Sequence, residues 1–446
     1  MSRLPQGPGR RTGTAHSRRQ AGAARPRMLL LLASVALLLV GAVLWLGAER
    51  KPVQEQVGSG NRLLPGLEAR INDIDRVRID AGVPEAVTVL ERSGDGAWGV
   101  QQRGGYPADV GTLRTLLLAL AQAERLEAKT ANPELYPRIG VDHGADARGV
   151  LVALGGGSEK QGGSEKQVIV GDAASNGSAT YVRLADEAQA WLLDRAISID
   201  PEPSSWLRKE LTQIDAQRVA RVEIVHAGDG REGARVEIVA ADDGPGFELA
   251  NLPKGRALAN AAQVESTAGL LSALRLADVE PVDVGAVDGE PAGSAGPFGD
   301  VQTSTARFTL RDGIVIDIEF FEHEDFVAAV FAASLDEARA QAWIDAEQAK
   351  AAMEHERQQR IAAADAEAGA AAAPGGVAAA DPAADAAVEA PLAVSDPAAD
   401  RAARLSALRT EVAALQQSLA GWAFRLPPYK AEHLTRPLDG YLAPKE

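Results

Sequence analysis

No cysteine occurs anywhere in this chain. Its absence removes disulfides, thiolate zinc sites, a cysteine nucleophile and a lipidated N-terminal cysteine, so the fold must be held by an apolar core. Histidine is scarce as well. His16, His143, His226, His323, His355 and His433 are the full set, and no two stand at the H-E-x-x-H spacing of a helical zinc site. Aromatic residues make up only 4% of the chain. No acidic residue occurs in the first twenty-seven positions, and no charge of either sign occurs from 28 to 48.

The last two absences decide topology. Residues 28–48 contain nine leucines and, at 1.5 Å per residue, cover about 30 Å, the hydrocarbon thickness of a bilayer. The run is longer than a signal-peptide core, and Leu46 stands where a cleavage site needs a small residue, so an uncleaved anchor is expected. The preceding tail carries Arg3, Arg10, Arg11, Arg18, Arg19, Arg25 and Arg27, which the positive-inside rule keeps cytoplasmic. The chain's net charge of −16 becomes −23 once those seven arginines are set aside. The expected exported part therefore lacks the basic footprint of a nucleic-acid binder. The expected location is the bacterial inner membrane, single-pass, with the bulk periplasmic.

Residues 49–69 mix Pro, Gly and polar side chains and read as a linker. Structure then begins with "INDIDRVRID" and "AVTVLERSGDGAWGVQQ", where apolar and polar residues alternate at the period of half-buried strands and "SGDG" supplies a turn. In "YPADVGTLRTLLLALAQAERLEA" the residues Val110, Leu113, Leu117 and Leu120 fall on one helical face, with Asp109 near the start. The same order returns about 145 residues later in "AQRVARVEIVHA", "GARVEIVAADDGPGFELA" and "NAAQVESTAGLLSALRLADVEPV", the last placing Val264, Leu271 and Leu274 at matching positions. Each unit closes with further strands, and "RDG" at 311–313 is a hairpin turn. The duplicated "GGSEKQGGSEKQ" at 156–167 reads as an expanded hairpin tip. The expected fold is α+β: one N-terminal transmembrane helix, then two related lobes of mainly antiparallel sheet with packed helices over 70–210 and 211–333, then C-terminal helices.

Beyond Phe331 the composition shifts. Ser334 and Glu337 have the spacing of a capping box, and an alanine-rich polar helix is expected over 334–368. Residues 369–394 are too poor in large apolar side chains to form a core and read as a flexible linker. In the last segment, 395–446, Leu405, Leu408, Val412, Leu415 and Leu419 alternate spacings of three and four, a short heptad seam. Trp422, Phe424 and Tyr429 cluster just after it. These eight residues are the candidate docking surface for a partner, with packing against the chain's own domain as the competing reading.

Chemistry-bearing motifs are few. Neither a G-x-S-x-G elbow nor a Ser and His pairing appears. The turn "VIVGDAASNG" lacks the lysine and hydroxyl of a phosphate loop and leads into another strand. The clusters "DHGAD" at 142–146 and "EHED" at 322–325 read as solvated loops. No catalytic residue, cofactor or metal is expected.

The order "VTVLERSGDGAWGV", "YPADVGTLRTLLLALAQAE", "NPELYPRIGV", "VIVGDAASNGSATYVRL", "WLLD", "SSWLRKEL" and "GWAFRLPPYKAEHLTRPLDGYL" resembles the family called domain of unknown function 4340. The resemblance rests on positions such as Trp98, Tyr106, Pro107, Gly140, Gly171, Trp206 and Trp422 taken in order. It implies a membrane-anchored envelope protein associated with ABC transporter permease and auxiliary subunits of the gliding-motility type, and it carries over no catalytic residue. The expected function is a non-enzymatic periplasmic accessory subunit of an ABC-type transport or envelope complex. The alternatives are an envelope enzyme acting on cell-wall glycans and a purely structural scaffold.

Overall fold

Alternating burial along each strand builds the architecture. The computed structural model of the chain describes residues 61–156, 165–227, 234–241, 244–282, 303–371, 394 and 396–444. The expected anchor at 28–48, its arginine tail, residues 157–164 of the hairpin tip and residues 372–393 of the expected 369–394 linker lie outside the described residues, whereas 369–371 are helical. Among the described residues no helix is long and apolar enough to cross a membrane.

The first sheet is built from β1 (Ile74–Asp80), β2 (Val87–Arg92), β3 (Trp98–Val100), β4 (Tyr106–Pro107), β5 (Arg125–Ala128), β6 (Val150–Gly156), β7 (Lys166–Ala173), β8 (Thr180–Leu184) and β9 (Ala190–Leu193). Their order across the sheet is β4-β3-β2-β1-β6-β7-β8-β9-β5, with every neighbouring pair antiparallel. Residues 207–212 then lead into a small ladder of β10 (Glu210–Thr212) with β14 (Leu274–Arg275). The second large sheet contains β11 (Val219–Val225), β12 (Arg235–Ala240), β13 (Phe247–Leu249), β15 (Asp278–Pro281), β16 (Ser304–Leu310), β17 (Ile314–Glu322), β18 (Val327–Leu335) and β19 (Trp422–Leu426). Its order is β13-β12-β11-β16-β17-β18-β19-β15. Removing β4 from the first sheet leaves the same topological sequence, so the repeat seen in the strand patterns extends to strand order.

The patterning explains which face is buried. On β16 and β17 the residues Ala306, Phe308, Leu310, Ile314, Ile316, Ile318 and Phe320 point inward, each at most 2% exposed. The intervening Arg307 and Asp317 meet across the strands at 2.6 Å on the other face. Arg221, Glu223, Arg235 and Glu237 continue that charged ladder over β11 and β12. Burial alone would raise the Glu223 carboxyl, but Arg235 and Arg221 together hold it below its ordinary range. One continuous cluster of buried side chains runs through both large sheets, from Leu63 to Leu442.

Helix α1 (Val110–Gln122) is capped by Asp109, whose side chain accepts the amide of Thr112. It buries Leu113, Leu116, Leu117 and Leu120. Val110, expected on the apolar face, is 52% exposed, because the first helical position lies outside the stripe that meets the sheet. Its counterpart α2 (Ala261–Ala268) is capped by Asn260 and is shorter than the apolar spacing predicts. The helix ends at Gly269, so Leu271 and Leu274 are buried from the following turn and from β14.

Helix α3 (Glu337–Ala371) does not begin with the expected capping box. Ser334 stays in β18, paired with Val315, and Asp336 accepts the amide of Arg339 as the cap. The RDG turn sits directly beneath: Gly313 has φ +91°, and a Cβ there would lie 2.7 Å from the Ala340 nitrogen and the Asp336 oxygen. Helix α4 (Pro397–Leu419), capped by Asp396, returns along α3. Helix α5 (Pro428–Thr435) and the closing residues reach back to the second repeat, where the Tyr441 and Thr267 hydroxyls lie 2.9 Å apart.

Candidate functional site

The eight residues proposed for docking fall mainly inside the fold. Leu408, Val412 and Leu419 are buried, and Leu405 and Leu415 pack half-buried against the same core. The heptad seam thus covers β18 and α3. Glu411 ties α4 down further, because Arg218 donates to Glu411 at 2.8 and 3.2 Å while also bonding the buried Asp312. Phe424 is fully buried and Trp422 half-buried. Tyr429 alone among the eight is broadly accessible, at 60%. A side chain already desolvated by its own domain presents no surface to a partner, which moves any docking role away from this seam.

The aromatic segment has a definite structural task. It forms β19, which pairs with both β18 and β15 and so completes the second sheet. Tyr106 of the first sheet packs edge-on to Trp422 and Phe424 at ring separations of 5.1 and 6.1 Å, and Phe331 meets Phe424 at 5.7 Å. Beside them Arg103 donates in bidentate fashion to Asp278 at 2.6 and 2.8 Å. Burial raises the Tyr106 phenol pKa, partly offset by Arg208, and burial lowers the Lys209 ammonium pKa, with Asp278 opposing. This junction joins the two repeats through an aromatic contact and a part-buried ion pair.

The carboxylate and histidine clusters do not converge. Among the described residues no group of three or more histidine and acidic side chains is placed to hold a metal ion. His323 is exposed and stacks on Phe326. The 142–146 cluster belongs to a loop laid over the ends of β6 and β7, where Arg148 pairs with Asp172 at 2.9 Å. Glycine is required there for contact, not chemistry. A Cβ on Gly171 would lie 2.5 Å from the Ile139 carbonyl oxygen, and one on Gly140 would lie 2.6 Å from the Asp172 carboxylate. Arg183 completes the seat by packing over Tyr136 at 4.6 Å and donating to the Val141 carbonyl.

A concave feature not legible in the sequence lies at the other end of the first sheet. Segment 63–74 and the ends of β6, β7 and β8 enclose a cavity of about 650 Å³, a size common for ligand sites. Leu63, Leu64, Ile74, Leu154 and Leu184 line it, with Arg70, Arg125, Lys166, Asp73, Asp186 and Glu187 also contributing.

Residues 98–294 match the family model described as Domain of unknown function (DUF4340). The match starts at the first residue of β3 and crosses from the first sheet into the second, taking in Trp98, Tyr106, Pro107, Gly140, Gly171 and Trp206. Trp422 lies beyond it. No curated protein and no solved structure matches the chain. Within the DUF4340 segment the structure gives these positions packing roles. Trp206 is 3% exposed and donates its indole N–H to the Asp200 carbonyl, while its own carbonyl accepts the amide of Asp109. Pro107 accepts from the amide of Arg208 through its carbonyl.

Proposed function

We propose that this chain is a non-enzymatic accessory subunit of an ABC-type transport or envelope complex, anchored by residues 28–48 with its sheets in the periplasm. The observation that carries the reading is where the helical insertion sits. Strands β18 and β19 pair directly, Val327 with Leu426 and Ala329 with Phe424, yet residues 336–421 are inserted between them. The equivalent hairpin of the first sheet, β8 to β9, is closed by residues 185–189.

Among the described residues, the cross-helix contacts lie at the base of that insertion. Arg409 pairs with Glu337, Arg401 with Asp345, and Gln348 bonds Pro397 and Asp400. From Gln348 to Ala371 helix α3 extends about 35 Å further. The polar contacts found there among the described residues join neighbours on the helix itself, such as Arg357 with Glu354 and Arg360 with Glu356. Met353 and Ile361 are 64% and 49% exposed on this arm. A long helix with accessible apolar side chains is suited to engage another subunit, and the single anchor leaves any translocation path to partners.

The test is crosslinked recovery of the full-length protein from native membranes beside a double variant, Met353→Glu with Ile361→Glu. ABC permease and ATPase subunits should accompany the parent chain and fall about tenfold with the variant, at unchanged melting temperature. Recovery of no transporter component with the parent chain would overturn the accessory reading. Removing residues 396–446 would be a poor substitute, because it deletes a core strand.

A further inference from the structure

From the way the two repeats meet inside this chain we infer that a second copy docks end to end, the β13 end of one copy seating on the β5 edge of the next. The inference goes beyond the accessory reading and requires neither a transporter nor the anchor.

The intrachain junction supplies the pattern. Strand β15 ends the second sheet, and the turn 101–103 that follows β3 packs on it. Arg103 donates to both oxygens of Asp278 and feels the charge of Glu280, while a Cβ on Gly104 would lie 3.1 Å from the Pro281 ring. One end of the first repeat is thereby fitted to the opposite end of the second. The repeat relation identifies the two ends that lack such a fit. "WGVQQRG" at 98–104 corresponds to "FELANLP" at 247–253, so Leu252 takes the place of Arg103. "AERLEA" at 123–128 corresponds to "ADVEPV" at 277–282, so Glu124 and Leu126 take the places of Asp278 and Glu280. The ladders agree, because Arg125 faces Leu193 in β9 as Val279 faces Phe424 in β19.

Both unmatched ends present a leucine at the contact position. Leu126 is 49% and Leu252 39% exposed, whereas their counterparts Glu280 and Arg103 are charged. An attraction between opposite charges inside the chain is thus replaced, at the two outer ends, by apolar side chains that water drives together. Strands β5 and β13 are terminal in their sheets, and a terminal strand is open to another chain. Among the described residues the outer side of β5 is bridged only by Arg62 at Glu124, just before the strand begins. The same correspondence sets Lys254, in the place of Gly105, beside Glu127, in the place of Pro281. Because the contact joins two different surfaces it is heterologous: each terminal copy keeps one open end, and association continues into a ring or an open row.

The test is sedimentation of the purified full-length protein in one detergent at rising concentration. The parent chain should pass from one copy through two to larger assemblies. Leu126→Glu and Leu252→Glu should each stay single at an unchanged melting temperature, because both side chains are exposed. An equal mixture of the two variants reads the geometry: each retains the surface that the other has lost, so the mixture should form a pair and stop there. A parent chain that stays single at about 100 μM, above the micromolar range of specific interfaces, overturns the inference, as do variants that assemble like the parent. A pair that both variants abolish and their mixture does not restore points to an isologous contact and overturns it equally. Since the chain has no cysteine, Leu126→Cys combined with Leu252→Cys gives a second readout. Oxidation should link the double variant into a ladder of multiples on a non-reducing gel and leave each single variant unlinked. Linked dimers from a single variant, with no ladder from the double, would refute the end-to-end contact.

Discussion

Replacing Phe424 by alanine separates a core strand from a docking motif. Phe424 is fully buried in β19, with Tyr106 from the first sheet on one side and Phe331 from β18 on another. Truncating a buried phenylalanine removes its transfer free energy and leaves a cavity, for a cost of about 3–5 kcal/mol. At about 2.1 cal/mol/K of unfolding entropy per residue, a unit of roughly three hundred ordered residues loses about 1.5 °C per kcal/mol, so the melting temperature should fall by about 5–8 °C. Tyr429→Ala is the internal control. Its ring is 60% exposed, and an exposed truncation is expected to stay within about 0.5 kcal/mol, or about 1 °C. Differential scanning fluorimetry on the full-length protein in one detergent reads both. If Phe424→Ala melts with Tyr429→Ala and instead loses a crosslinked partner, β19 is not a core strand and the segment docks elsewhere.

Other perturbations probe the remaining contacts. A double-mutant cycle over Arg103→Ala and Asp278→Ala should give a coupling of about 1–2 kcal/mol in urea unfolding, between exposed and fully buried pairs; a coupling near zero would remove the ion pair from the junction. Gly171→Ala must displace the Ile139 carbonyl at 2.5 Å and should cost about 1–3 kcal/mol, with faster proteolysis in the 136–149 loop; unchanged cleavage there would argue against the close seat. Burial, then the charges of Arg436 and Lys430, lower the His433 imidazole pKa from its ordinary 6.5, with Glu432 opposing. Because the folded state holds the neutral form, this stability is full above pH 6.5 and is lost as pH falls through the folded value. His433→Gln should flatten that part of the stability profile, and an unaltered slope between pH 7 and 5 would refute the assignment.

Local pattern made most of the sheet architecture readable, because strand alternation and turn chemistry act over a few residues. The repeats announced themselves through Val77, Ile79, Val222 and Ile224, whose inward spacing has a period of two. Helix ends were less readable. Ser334 has the right neighbour for a capping box, but continuing the ladder opposite Val315 keeps it in β18, and the cap passes to Asp336. In α2 the apolar spacing runs on through Leu271 and Leu274, yet burial there comes from a turn and a short strand instead of a helix. The cavity was invisible for a different reason. Its walls come from residues 63–74, 125, 154–156, 165–167 and 184–187, and no local period links segments that distant.

The position of β19 shows how a long insertion hides topology. The other neighbour of β18, β17, is joined to it through residues 323–326, whereas the partner on its far side arrives after residues 336–421. Loop closure grows only slowly in cost with length, so the sheet tolerates that interruption as long as β19 still pairs with β15 and β18. Seen alone, "WAFRL" is a five-residue aromatic run after a seam of leucines, a pattern equally suited to docking. Set beside β9, which occupies the same place in the first sheet between β8 and β5, it becomes the strand the second repeat requires. The leucine seam of α4 then follows as a consequence: a helix returning the chain to its own sheet must bury the face that meets β18.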